Sequence, residues 1–122
     1  RRQRQMCIRD RLKMESLRKV IVEGGERIQE GYAVLVFPEG TRKNPKDGIG
    51  KFGNSCGVLA ANESVPIIPI CHNSGKYWLN KSFKKKSGDI SIVIGKPIFG
   101  SDPKKLTEES RSWIKKTYSV IG

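Results

Sequence analysis

The stretch VLVFPEGTRK, Val34 to Lys43, runs an apolar segment into a proline, an acid, a glycine, a hydroxyl and two cations. Tyr32 to Phe37 is nearly continuous apolar sequence rich in β-formers. Such a run suits a strand covered on both faces, the pattern of α/β sheets. Pro38 lacks a ladder donor and ends the strand. Ligands of open α/β sheets bind beyond the carboxyl ends of the strands, so Pro38-Glu39-Gly40-Thr41-Arg42 stands where a ligand would. Gly40 lets backbone approach a ligand and present its N–H groups. Arg42 offers a planar fork of donors that matches phosphate oxygens. Thr41 adds a hydroxyl donor. Glu39 repels a phosphate, so its partner is Arg42, a backbone donor or a substrate hydroxyl. A plain turn held by a Glu–Arg pair satisfies the same residues.

The segments around this stretch alternate helix and strand. Leu12 to Glu30 reads as a helix with Leu17, Val20, Ile21 and Ile28 on one face. Gly24 and Gly25 weaken it by ~1 kcal/mol each relative to alanine, and they also permit close packing on a sheet. Gly31 is a C-terminal stop. Asn44 to Gly50 is rich in turn formers and reads as a surface loop. Phe52 to Asn62 reads as a short helix. Val65 to Cys71 reads as a second buried strand in which Pro66 and Pro69 each remove a donor. Asp89 to Gly95 is a third strand. The last helix starts at Asp102-Pro103 or Thr107 and runs to about Tyr118, with Leu106, Trp113, Ile114 and Tyr118 available to pack. The order αβαββα implies an α/β sheet.

A chain of 122 residues fits one small domain or a piece of a larger one. With 36% hydrophobic and 30% charged residues, it can build a core, though not a generous one. No run approaches ~20 apolar residues, so no transmembrane helix is expected, and no apolar run follows the basic N-terminus to make a signal peptide. A net charge of +12 favours an anionic partner: nucleic acid, anionic lipid or a phosphorylated small molecule. Cys7, Cys56 and Cys71 form no C-x-x-C pair and read as small hydrophobes in a reducing compartment.

Gln5 to Arg11, QMCIRDR, resembles the translation of a transposon-end adapter used in sequencing libraries. Residues 5–11 are therefore set aside from fold reasoning as a scar, residues 1–4 are either native or from another fragment, and 1–11 together are separated as a non-native or scar segment from the domain portion 12–122; an ordinary basic helix start is the alternative. Five cations and one anion leave with the first eleven residues, which lowers the charge by 4 to +8. The chain stays basic.

Phe37-Pro38-Glu39-Gly40-Thr41-Arg42 resembles the third block of the glycerolipid acyltransferase family. Val65-Pro66-Ile67-Ile68-Pro69-Ile70 resembles its fourth block at the usual separation, and the likeness extends from about Leu12 to Val120. The resemblance implies an α/β fold, a partial glycerol-phosphate acyltransferase type with a mixed sheet flanked by helices. It implies transfer of a fatty acyl group from acyl-CoA or acyl-carrier protein to 1-acyl-glycerol-3-phosphate (lysophosphatidic acid), which gives phosphatidic acid. Glu39, Gly40, Thr41 and Arg42 would bind the acceptor, with Arg42 on its phosphate and the other three shaping the site. The VPIIPI strand would be structural or face the acyl channel. No metal and no bound cofactor is implied; the acyl donor is a co-substrate.

The family's catalytic block, H-x-x-x-x-D, precedes the FPEGTR block, with its His as general base and its Asp orienting that His. This sequence has one histidine, His72, which follows FPEGTR, and five residues later stands Tyr77. His72 reads as a polar strand-end residue, and the dyad is missing. The second block, of G-x-x-F-I-D-R type, is not intact; Ile8-Arg9-Asp10-Arg11 mimics it, and no role is carried onto those residues. Lys43 replaces a frequent Ser, and Phe52-Gly53 lacks the basic residue that commonly follows the Phe, for which Lys51 could substitute. The expectation is the C-terminal part of an acyltransferase, inactive alone, from an enzyme at the cytoplasmic face of the membrane. Lys76 to Lys86 carries five lysines with Tyr77, Trp78 and Phe83 interleaved. That pattern suits a solvated loop, an anionic membrane surface, or stacking on single-stranded nucleic acid. A nucleic-acid-binding or non-catalytic membrane-surface module is the rival reading.

Overall fold

The computed structural model describes residues 5–9, 14–39, 48–77 and 87–122. Along the chain run β1 (Gln5–Arg9), α1 (Met14–Gln29), β2 (Ala33–Phe37), α2 (Ser55–Glu63), β3 (Ile70–His72), β4 (Ile92–Ile94) and α3 (Pro103–Ile121). The helices expected from sequence are present with small shifts at their ends, the two later strands are shorter than expected, and the class is α/β.

The N-terminal segment also pairs. Residues 5–9, set aside on sequence, form a strand that pairs in parallel with β2, from Gln5 against Ala33 to Arg9 against Phe37. Parallel pairing requires a crossover of a dozen or more residues, and α1 provides it. The result is a β–α–β unit with β2 at its exit.

Helix α1 ends at a left-handed Gly31, with φ +94°. The Tyr32 N–H reaches back to the Arg27 carbonyl at 2.9 Å and the Gly31 N–H to Ile28 at 3.0 Å, so the last carbonyls are satisfied and the chain turns directly into β2. Gly24 and Gly25 are buried, and the neighbour that Gly25 meets is Glu63 at the end of α2 rather than a sheet.

Helix α2 packs against both α1 and α3. Its closest approach is at Gly57, where a Cβ would run into the Pro103 carbonyl oxygen and the Thr107 hydroxyl of α3. Leu59 and Ala60 of α2, Leu106 of α3 and Cys71 of β3 make the core, each 2–3% exposed. Helix α3 starts at Asp102, whose Oδ1 accepts the Lys104 N–H at 3.0 Å, with Pro103 at the first helical position. Such a cap contributes about 1 kcal/mol.

Val65 to Cys71 is less regular than expected. Ile67 makes an isolated antiparallel bridge with Ile98, and regular pairing begins at Ile70, against Ile94. Pro66 and Pro69 have no N–H to give, so pairing there rests on what the other strand donates, as when the Gly95 N–H meets the Pro69 carbonyl at 2.8 Å.

Nor is β2 covered on both faces. Val34 and Val36 are half-buried, while Leu35 and Phe37 are 38% and 49% exposed. The β3–β4 pair repeats the pattern. Cys71 is buried against α3, its thiol donating to the Ile114 carbonyl at 3.7 Å, while Ile70, Ile92 and Ile94 are exposed. Side chains alternate across a strand, and among the described residues α1 packs on β2 and α3 on β3.

Candidate functional site

Strand β2 delivers Phe37 to a turn formed by Pro38 and Glu39. Three links tie this turn to the rest of the molecule. The Pro38 carbonyl accepts the Gly53 N–H at 2.9 Å, just before α2. The half-buried Glu39 carboxylate accepts the Gly50 N–H at Oε2, 3.1 Å away. From α3, Arg111 donates through Nε to the Gly50 carbonyl at 2.9 Å and through a terminal nitrogen to the Ile49 carbonyl at 3.3 Å. The carboxylate at the strand tip is thus held by a backbone amide, one of the three partners that its sequence context allowed.

Gly40, Thr41 and Arg42, the other residues expected at the site, lie outside the described residues, as does Lys43. Lys51 is exposed in the segment that leads from Gly50 into α2. Of the basic segment Lys76 to Lys86, only Lys76 and Tyr77 are described, and Lys76 donates to the main-chain oxygen of Gly122 at 2.8 Å.

His72 ends β3 with its ring exposed. Its Nδ1 lies 2.8 Å from the Ser74 hydroxyl and accepts the Ser74 N–H at 3.4 Å. That is a local strand-end contact of a polar residue, as its position in CHNSG implied. Asn73 beside it is 4% exposed and satisfied on both ends of its amide: Nδ2 donates to the Ile121 carbonyl at 3.0 Å, and Oδ1 accepts the Ser91 N–H at 2.9 Å. Burial pushes the Cys71 thiol above its ordinary pKa. Among the described residues no cluster of His, Cys, Asp and Glu is arranged to hold a metal ion, and no helix is long and apolar enough to cross a membrane.

Sequence reasoning missed Arg111. The signal was present: Leu106, Thr107 and Ser110 are buried on α3, and Arg111 sits four residues after Thr107 on that packed side. A cation at such a position needs acceptors, and the Ile49 and Gly50 carbonyls provide them.

Residues 2–73 match the model of a family described as Acyltransferase, so the match takes in β1 and the FPEGTR stretch alike. The chain is 35% identical over 112 residues to 1-acyl-sn-glycerol-3-phosphate acyltransferase of Pseudomonas aeruginosa, covering 88% of this chain and 43% of that protein. It is 37% identical over 92 residues to the chloroplastic 1-acyl-sn-glycerol-3-phosphate acyltransferase LPAT1 of Arabidopsis thaliana, covering 73% and 25%. Among solved structures it resembles the 1-acyl-sn-glycerophosphate (LPA) acyltransferase PlsC from Thermotoga maritima. The TM-score is 0.66 at 20% identity, over 88% of this chain and 44% of that one, a likeness of fold. The chain spans less than half the length of each of these proteins.

Proposed function

The chain belongs to the acyltransferase family, and from that membership we propose that it is the C-terminal part of an enzyme of phospholipid biosynthesis. The enzyme transfers a fatty acyl group from acyl-CoA or acyl-carrier protein to 1-acyl-glycerol-3-phosphate and yields phosphatidic acid. The carrying observation is the Pro38–Glu39 turn at the carboxyl end of β2, in the FPEGTR stretch of the sequence, with the Glu39 carboxylate fixed by the Gly50 N–H at 3.1 Å. Relatives whose names state this activity support the reading.

In the reaction the free hydroxyl of the acceptor attacks the thioester carbonyl. A C–O ester bond forms, the C–S bond breaks, and the hydroxyl proton passes to a base and from there to the departing thiolate. The guanidinium of Arg42 holds the acceptor phosphate bidentately, Gly40 brings backbone N–H groups close, and Thr41 adds a donor. Glu39, anchored at one oxygen, shapes the site beside the glycerol. The base is the His of an H-x-x-x-x-D block. This sequence contains no such block, so the chain by itself binds acceptor and does not turn over. The enzyme works at the cytoplasmic face of the membrane, a placement that the basic and aromatic stretch Lys76 to Lys86 favours, at ~1 kcal/mol for each cation near an anionic surface.

The test is an NMR titration of the 122-residue chain with a short-chain lysophosphatidate below its micellar concentration. The expected result is saturable shifts at Glu39 and Gly50, weakened about tenfold in Arg42→Ala, the effect of one charge-assisted contact. Absence of binding by the folded chain overturns the acceptor assignment. Acyl transfer by the purified chain, abolished in Arg42→Ala, overturns its inactivity.

A further inference from the structure

We infer that Arg111 is a positioning residue for the acceptor site and acts on Glu39 through the Ile49–Gly50 peptide. The inference deepens the acceptor-binding reading above and rests on it. The observation is the orientation of one peptide group. The Ile49 carbonyl accepts from Arg111 at 3.3 Å, and the N–H of the same peptide, on Gly50, donates to Glu39 Oε2 at 3.1 Å. A trans peptide points its C=O and N–H in opposite directions, and no peptide among the described residues is cis. The peptide dipole therefore lies between a guanidinium at its oxygen end and a carboxylate at its hydrogen end. Each charge polarises the group in the sense that strengthens the bond to the other.

The second Arg111 bond, from Nε to the Gly50 carbonyl at 2.9 Å, takes the next peptide in the chain. Two donors of one rigid planar fork on successive carbonyls fix the orientation of the Gly50 amide as well as its place. The fork itself stands on a firm base. In the part of α3 just before it, Leu106, Thr107 and Ser110 are 2–5% exposed, and the Thr107 and Ser110 hydroxyls are bonded to carbonyls of their own helix. A lysine would bring the charge but not the fork. Glutamine would bring a single donor nitrogen and no charge.

A loop staple with no part in the site would make the same bonds, so the test separates the two through coupling. Arg111→Gln, Glu39→Gln and the double variant are compared in the full 122-residue chain. Two quantities are read: the Gly50 amide resonance, and the dissociation constant of a short-chain lysophosphatidate. If Arg111 acts through Glu39, Arg111→Gln moves the Gly50 amide upfield toward the position it takes in Glu39→Gln. Each single variant then weakens the probe about tenfold, and the double variant is no weaker than the poorer single. Losses that multiply to about a hundredfold in the double variant overturn the inference, as does a Gly50 resonance that Arg111→Gln leaves in place. If Arg111→Gln does not fold, Arg111→Lys takes its place in the same cycle, with an intermediate Gly50 shift expected. If the wild-type chain binds no lysophosphatidate, the acceptor reading falls, and the Gly50 resonance alone decides whether Arg111 orients the amide on Glu39.

Discussion

Substituting Gly57 by alanine sets two effects of opposite sign against each other. Glycine to alanine inside a helix gains at most about 1 kcal/mol in propensity. The new methyl group, however, would overlap the Pro103 carbonyl oxygen and the Thr107 hydroxyl, and would stand 2.9 Å from the Pro103 carbonyl carbon. Main chain cannot swing aside. Here it is held by the Thr107 hydroxyl donating to the Pro103 carbonyl at 2.9 Å and by the Asp102 cap one residue earlier. Helices α2 and α3 must part, which loosens Leu59, Ala60 and Leu106, three of the four buried apolar residues among those described. Overpacking of this kind costs about 1–3 kcal/mol, at the upper end when the obstacle is backbone. The net expectation is a loss of about 2 kcal/mol.

Gly25→Ala is the matched control. Its Cβ would stand 2.7 Å from Glu63 Oε1, the far end of a side chain free to rotate, at the expense of exposed bonds from the Gln29 amide at 3.1 and 3.3 Å. It should be neutral or mildly stabilising. Urea denaturation reads both. With a slope of about 2 kcal/mol per molar, Gly57→Ala lowers the midpoint by roughly 1 M, and Gly25→Ala leaves it or raises it. A Gly57→Ala protein as stable as wild type, or an equal fall in both variants, would refute the helix contact.

Further outcomes follow from other buried groups. Asn73→Ala removes both bonds of a buried amide, from the Ser91 N–H and to the Ile121 carbonyl, and should cost about 1–3 kcal/mol in urea midpoints. Asn73→Asp keeps the acceptor for the Ser91 N–H but sets a carboxylate oxygen against the Ile121 carbonyl in place of the donor, so it should be at least as damaging; a wild-type midpoint for the aspartate variant contradicts the network. The Cys71 thiol is raised in the folded state, so its contribution is complete below the unfolded thiol value of about 8.5 and is lost as pH rises through it, because the unfolded chain gives up the proton first. Stability of the wild type relative to Cys71→Ala should therefore decline as pH rises above about 8.5 in urea titrations, and a constant difference would show that burial does not act on the thiol.

Local signals were legible in the sequence. Asp102-Pro103 supplies an acceptor and a fixed φ at a helix start, Gly31 supplies the left-handed stop, and Tyr32 to Phe37 is a run of β-formers closed by proline. Each acts within a few residues, so each can be read along the chain. The FPEGTR and VPIIPI stretches carried the family for a related reason: chemistry at a strand tip needs particular residue types in order. Of the four residues expected at the site, Glu39 lies among the described residues, in the turn after β2. Its anchoring amide was not legible beyond a choice among three kinds of partner.

What only the tertiary structure decided are contacts between residues far apart in sequence. Arg111 meets Gly50 and Ile49 across 61 and 62 positions, and Asn73 meets Ile121 across 48. Residues 5–9 join β2 only because α1 carries the chain back in parallel. A hydrogen bond depends on distance and direction in space, and neither is written in the spacing of residues. Until α3 lies beside the 48–50 segment, Arg111 reads as one more of the 24 cations of a basic chain.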